Sequence, residues 1–123
     1  MLHTASFYDP LHWEGRRYRV SRAHPRGRRA LWETAPFLYP PRELLRAYRG
    51  GALDFAAFIR EYLRGLDAAY GQLEEFRAWI RRLPSMGNVT LLCFEREEKP
   101  CHRVELARWL LEQVPGLRQG KLR

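Results

Sequence analysis

The chain has 123 residues, enough for one domain with its own core and no need of disulfide staples. Hydrophobic residues make up 46% and charged residues 29%, the balance of a soluble globular chain, and no apolar run approaches the about eighteen residues of a membrane span. The net charge is +8, and residues 1–49 carry most of it, with ten arginines against four acids. Arginine outnumbers lysine twenty to two. Recognition of phosphate or carboxylate gives that bias, since guanidinium pairs with them in bidentate fashion, and so does a GC-rich coding sequence. MLHTASFYDP lacks the basic and apolar regions of a signal peptide, so a cytoplasmic protein with reduced thiols and no membrane association is expected.

Along the chain, LHTASFY (2–8) alternates and reads as a short strand ended by Asp9-Pro10. RRYRVSRA (16–23) reads as a second strand, broken by His24-Pro25-Arg26-Gly27. Residues 28–41, with Pro36, Pro40 and Pro41, read as loop. Pro41 opens a helix over RELLRAYR, stopped by Gly50-Gly51. Asp54 is a candidate N-cap for FAAFIREYLRGL, whose Phe55, Phe58, Ile59, Tyr62, Leu63 and Leu66 make one apolar face. A third helix is expected over 68–83, with Leu73, Phe76, Ile80 and Leu83 inward. VTLLCF (89–94) is a continuous apolar run between turn signals, the pattern of a strand buried on both faces of a parallel sheet. Pro100 then opens a helix to about Gln113, and the basic tail 116–123 is expected to fray. The order of elements predicts a single α/β domain over 1–123: a small three-layer fold with a mostly parallel sheet and helices on both faces.

The stretch LLCFEREEKPCHR (91–103) concentrates the chemistry, because it holds both cysteines of the chain. It joins the end of a strand to the start of a helix, the edge where open α/β sheets bind ligands. Cys93 and Glu95 are two apart and point to one side of an extended backbone. Cys101 and His102 fall in the first helical turn, where unpaired N–H groups and the helix dipole favour negative charge and a reactive thiol. Each residue also has a plainer role: Cys93 as a core residue, Glu95 as a solvated acid, His102 as a cap, Arg103 as an ion-pair partner. A Cys93–Cys101 disulfide is set aside on compartment. A metal site from Cys93, Cys101 and His102 is set aside on ligand spacing, so neither metal nor cofactor is expected. A phosphatase-like thiolate loop lacks its glycines.

The same residues resemble the domain of unknown function 488 family. Its C-terminal signature is matched here by Leu91, Leu92, Cys93, Glu95, Cys101, His102, Arg103, Ala107, Trp109 and Leu110. Upstream, Ser21, Arg22, Pro25, Arg26 and Gly27 resemble a second family segment, and Ala35, Pro36, Leu44, Leu45, Tyr48, Arg49 and Gly51 a third. The likeness runs from about residue 4 to 112. The family pattern closes with one more short strand, whereas GLRQGKLR has little strand character, and extra residues surround Tyr39-Pro40-Pro41. The resemblance implies an α/β fold and places Arg22 and Arg26 near the Cys-His-Arg cluster, with no reaction attached.

Three functions follow as expectations. The first is a cleft for a small anionic ligand, phosphorylated or nucleotide-like. There Arg22, Arg26, Arg103 and Cys93 bind, Glu95 or His102 is general acid/base, and Cys101 is a candidate nucleophile. The second is a nucleic-acid-binding module using the arginine-rich first half, with Trp13, Tyr18 and Trp32 interleaved. The third is a polar knot that ties the last strand to the last helix and does no chemistry. Substrate and oligomeric state are not encoded in any motif.

Overall fold

The computed structural model describes residues 1–27, 29–97 and 99–123, with Arg29 described by its backbone alone. Among the described residues five strands form one sheet: β1 (Leu2–Ser6), β2 (Arg16–Arg19), β3 (Glu33–Thr34), β4 (Val89–Cys93) and β5 (Gln119–Leu122). Their order is β3-β2-β4-β1-β5, and every adjacent pair is parallel. The described residues also form four α-helices: α1 (Arg42–Arg49), α2 (Phe55–Gln72), α3 (Glu74–Arg82) and α4 (His102–Gln113). The expected α/β domain with a parallel sheet is what forms.

The apolar run of β4 has the cause inferred for it. β4 is flanked by β1 and β2, and all five of its residues are buried. Val89, Leu91 and Cys93 face the main core, with Tyr62 and Leu66 of α2, Phe76, Trp79 and Ile80 of α3, and Leu106 and Leu110 of α4. Leu92 faces the opposite side, packed with Ala5, Phe7 and Trp32 and flanked by Trp13 and Phe94. This second layer is made of aromatic side chains from loops and 3-10 turns rather than of α-helices, a refinement of the expected three layers.

Handedness explains the asymmetry. Parallel crossovers are right-handed, so connections moving in opposite directions along a sheet take opposite faces. β1 to β2 and β2 to β3 move one way through short loops. β3 to β4 and β4 to β5 move the other way, and these contain all four α-helices. The loops after β2 and β4 therefore part to opposite sides of the sheet.

Three local expectations are corrected. The tail 116–123 does not fray: Gln119–Leu122 is β5, paired with β1. Its backbone supplies what its side chains do not, since the Arg118 carbonyl accepts from Leu2 N–H at 2.8 Å and Arg123 N–H donates to Thr4 Oγ1 at 2.6 Å. The loop expected over 28–41 contains β3, which pairs with Tyr18 and Arg19. The second helix runs on to Gln72, and the break falls at Leu73, which is exposed rather than inward. The Asp54 cap is present, with its Oδ1 accepting from Ala57 N–H at 2.8 Å.

Candidate functional site

Beyond the carboxyl ends of β2 and β4, where the two loops part, lies a crevice lined by Ser21, Arg22, Tyr48, Arg49, Phe55, Phe58, Cys93, Glu95, Cys101 and His102, among others. Parallel sheets bind ligands at such a switch point because strand ends and helix N-termini converge there and the diverging loops leave a gap. About 540 Å³ of space lies in and over the crevice, open solvent included.

Its floor is a cluster of three side chains. Cys93 ends β4, Cys101 is the N-cap residue of α4, and His102 begins that helix. His102 Nδ1 lies 3.9 Å from Cys93 Sγ and 3.8 Å from Cys101 Sγ. Its Nε2 lies 2.7 Å from the Val20 carbonyl oxygen, which can only accept. A proton therefore sits on Nε2, and Nδ1 faces the two sulfurs. Tyr62 meets the imidazole edge-on at 5.2 Å, and its hydroxyl donates to the Leu38 carbonyl at 2.7 Å. Burial, with the nearby cysteines, raises the Tyr62 phenol well above its ordinary value, so it stays a donor.

The thiols divide unequally. The Cys101 thiol is lowered to about 4, chiefly by the hydrogen bond from Cys93; burial opposes this, and His102 and Arg103 add to it. The Cys93 thiol is raised well above its usual value, first by that same bond to Cys101 and then by burial. One proton shared between two sulfurs at a helix N-terminus accounts for both directions.

Of the remaining expected residues, Arg22 and Glu95 line the crevice. Arg22 uses Nε and Nη2 to hold the Pro40 carbonyl at 3.2 and 3.1 Å, which fixes the guanidinium at the wall. Glu95 is exposed at the rim. Arg26 is exposed in the turn after Pro25 and is not among the lining residues. Arg103 is 1% exposed and faces away: Nη1 donates to the Glu95 main-chain carbonyl at 2.6 Å, and Nε and Nη2 to the Arg123 main-chain oxygen at 2.9 and 2.5 Å. Its guanidinium is filled by main-chain acceptors, so it holds the Glu95 backbone rather than a ligand or the Glu95 carboxylate. Sequence reasoning missed the opposite wall, Tyr48 and Arg49 of α1 with Phe55 and Phe58 of α2. Tyr48 and Arg49 belonged to a matched segment, but nothing local connected that segment to the thiols.

Cys93, Cys101 and His102 are 5%, 8% and 6% exposed, yet all three line the crevice. Their three donor atoms lie within 4.8 Å of one another, a set that could also hold a cation. The family model described as the active DUF488-N3 subclade (DUF488-N3a) matches residues 2–114. No curated protein and no solved structure matches the chain.

Proposed function

The chain belongs to the DUF488 family, and we propose that it is an enzyme that acts on a phosphorylated or nucleotide-like ligand held in the crevice between β2 and β4. One observation carries this reading: the Cys93–Cys101–His102 cluster forms the floor of a crevice whose walls carry Arg22 and Arg49. The matching subclade is the active one of its group, in keeping with a catalytic role. Arg22 and Arg49 neutralise the ligand's anionic group through charge-assisted hydrogen bonds. Arg22 retains Nη1, which makes no hydrogen bond among the described residues, for that purpose. Glu95, held in place through its own carbonyl by Arg103, is the general acid/base at the rim. His102 is a positioning residue: its Nε2–H is committed to Val20, so it orients the sulfurs and does not shuttle a proton through that atom. Phe55, Phe58 and Tyr48 give the apolar wall against which a ring can lie.

The test is binding of inorganic phosphate, pyrophosphate and nucleoside phosphates by calorimetry. Wild type is expected to bind at least one of them, and Arg49→Ala or Arg22→Ala to weaken it about tenfold or more. Equal affinity of wild type and the double variant would sink the reading. If ligand turnover is found, Glu95→Gln is expected to lower kcat with little change in KM.

A second reading is favoured by one observation. Arg22, Arg42, Arg46 and Arg49 line a groove that adjoins the crevice, and none of the four forms an ion pair among the described residues. Arg42, Arg46 and Arg49 recur at helical spacing along α1. In this reading the ligand is one unit of a nucleic-acid strand whose backbone lies along α1. An oligonucleotide that binds more tightly than its mononucleotide, with steep salt dependence, supports it. Equal affinity for the two assigns the groove to a free small molecule.

A further inference from the structure

We infer that Cys93, Cys101 and His102 form a three-ligand site for a soft divalent cation of the zinc class, with its fourth position open to the crevice. The inference deepens the reading of the crevice as a reactive site but stands on its own geometry. A tetrahedral zinc with about 2.3 Å to sulfur and about 2.0 Å to nitrogen holds those donors about 3.6 Å apart. His102 Nδ1 is already 3.9 and 3.8 Å from the two sulfurs, so these two separations need to close by only a few tenths of an ångström. The full set lies within 4.8 Å, so the two sulfurs approach each other by at most about 1 Å on binding.

The imidazole is prepared for the same task. Metal-bound histidines donate their second ring N–H to a carbonyl or carboxylate, which fixes the tautomer and the ring direction. The Val20 carbonyl does this at Nε2 and leaves Nδ1 for the cation. The scaffold is rigid on both sides: Cys93 ends a central strand paired with two neighbours, and Cys101 and His102 start a twelve-residue helix packed on the sheet. Two thiolates balance the charge of a divalent cation, so the filled site is neutral where it is buried. Adjacent ligands at 101 and 102 argue against a zinc motif in the chain alone. They do not argue against it in space, because the third donor arrives from β4.

Three protein donors leave one position, and all three line the crevice. Zinc sites of this composition keep that position for water or a substrate oxygen. Glu95 lines the same space, where a carboxylate can take a proton from a metal-bound water. The cation thereby supplies the crevice with a Lewis acid, and Cys101 acts as its ligand rather than as a nucleophile.

The experiment reads the metal alone. The reduced protein, freed of metal by chelation, is titrated with Co²⁺ and then Zn²⁺, and its metal content as purified is measured. One equivalent is expected, with an intense thiolate-to-cobalt charge-transfer band and the visible absorption of a tetrahedral ion, both abolished by Zn²⁺. Cys93→Ser, Cys101→Ser and His102→Ala are each expected to lower the affinity at least about tenfold, and Arg118→Ala, exposed and outside the crevice, to leave it unchanged. X-ray absorption on the wild-type Zn²⁺ protein, which needs no variant to fold, should count two sulfurs and two nitrogen or oxygen neighbours, one of them an imidazole. Absence of binding at one equivalent, or a Co²⁺ spectrum without the thiolate band, overturns the inference. Phosphate binding by the chelated protein separates the two proposals: if it persists while Co²⁺ fails to bind, the crevice reading stands without the cation.

Discussion

At the scale of single residues, Arg103 and Tyr62 are the most constrained polar groups near the crevice. The Arg103 side chain ties the loop after β4 to the residue after β5 through main-chain oxygens. Truncation leaves those acceptors unpaired and a cavity behind. Arg103→Ala is therefore expected to cost about 3–5 kcal/mol in chemical denaturation. Arg103→Lys should recover only part of this, since an ammonium cannot span both sites. An unchanged midpoint for Arg103→Ala would show that β5 needs no such tie. Tyr62→Phe removes a buried donor from the Leu38 carbonyl and is expected to cost about 1–3 kcal/mol. The types of these residues were legible in the sequence and their directions were not. Arg103 beside a cysteine-histidine pair looked like an anion ligand. The turn of α4 sends it to the other side, because consecutive helical residues do not face the same way.

At the scale of elements, local chemistry predicted most starts and stops. Asp54 caps α2 as expected, and Asp54→Ala should lower stability by about 1 kcal/mol, seen as a fall of a few degrees in Tm. β5 shows where local chemistry ends. QGKL has no apolar alternation, yet it adds to the β1 edge, which would otherwise expose a row of unpaired amides. Gly120 permits the approach: a Cβ there would sit 2.4 Å from the His3 ring. That ring accepts from Lys121 N–H through Nδ1 at 3.1 Å and faces Asn88 Oδ1 through Nε2 at 3.1 Å. Gly120→Ala is expected to displace His3, cost about 1–3 kcal/mol and speed amide exchange at Lys121 before the rest of the sheet. Uniform exchange across the sheet in that variant would refute a specific role for the close approach.

At the scale of the whole molecule, charge and topology set what the crevice can attract. The chain carries +8, and the arginines along α1 lie beside the crevice. A small phosphorylated ligand is expected to bind several-fold more weakly as salt rises from about 50 to 200 mM, because a Debye length of about 10 Å screens the exposed arginines. A strand contacting several of them is expected to lose about a hundredfold or more over the same range. Flat salt dependence for both would exclude the arginine groove from binding.

The sequence by itself determined the elements that periodicity and caps specify. It also determined an α/β class with a buried parallel strand and the placing of Cys93, Glu95, Cys101 and His102 on one strand–loop–helix edge. These are consequences of neighbours within a few residues, where backbone geometry dictates which side chains share a face. Only the tertiary structure decided that Arg49 and the α1–α2 wall join Arg22 across the crevice, that Arg103 turns inward, that Cys93 completes a triangle with Cys101 and His102, and that the tail becomes a strand. Each of these depends on contacts between residues far apart in the chain. Such contacts follow from the order of strands and from which main-chain groups remain unpaired, and the local pattern of residues does not carry that information.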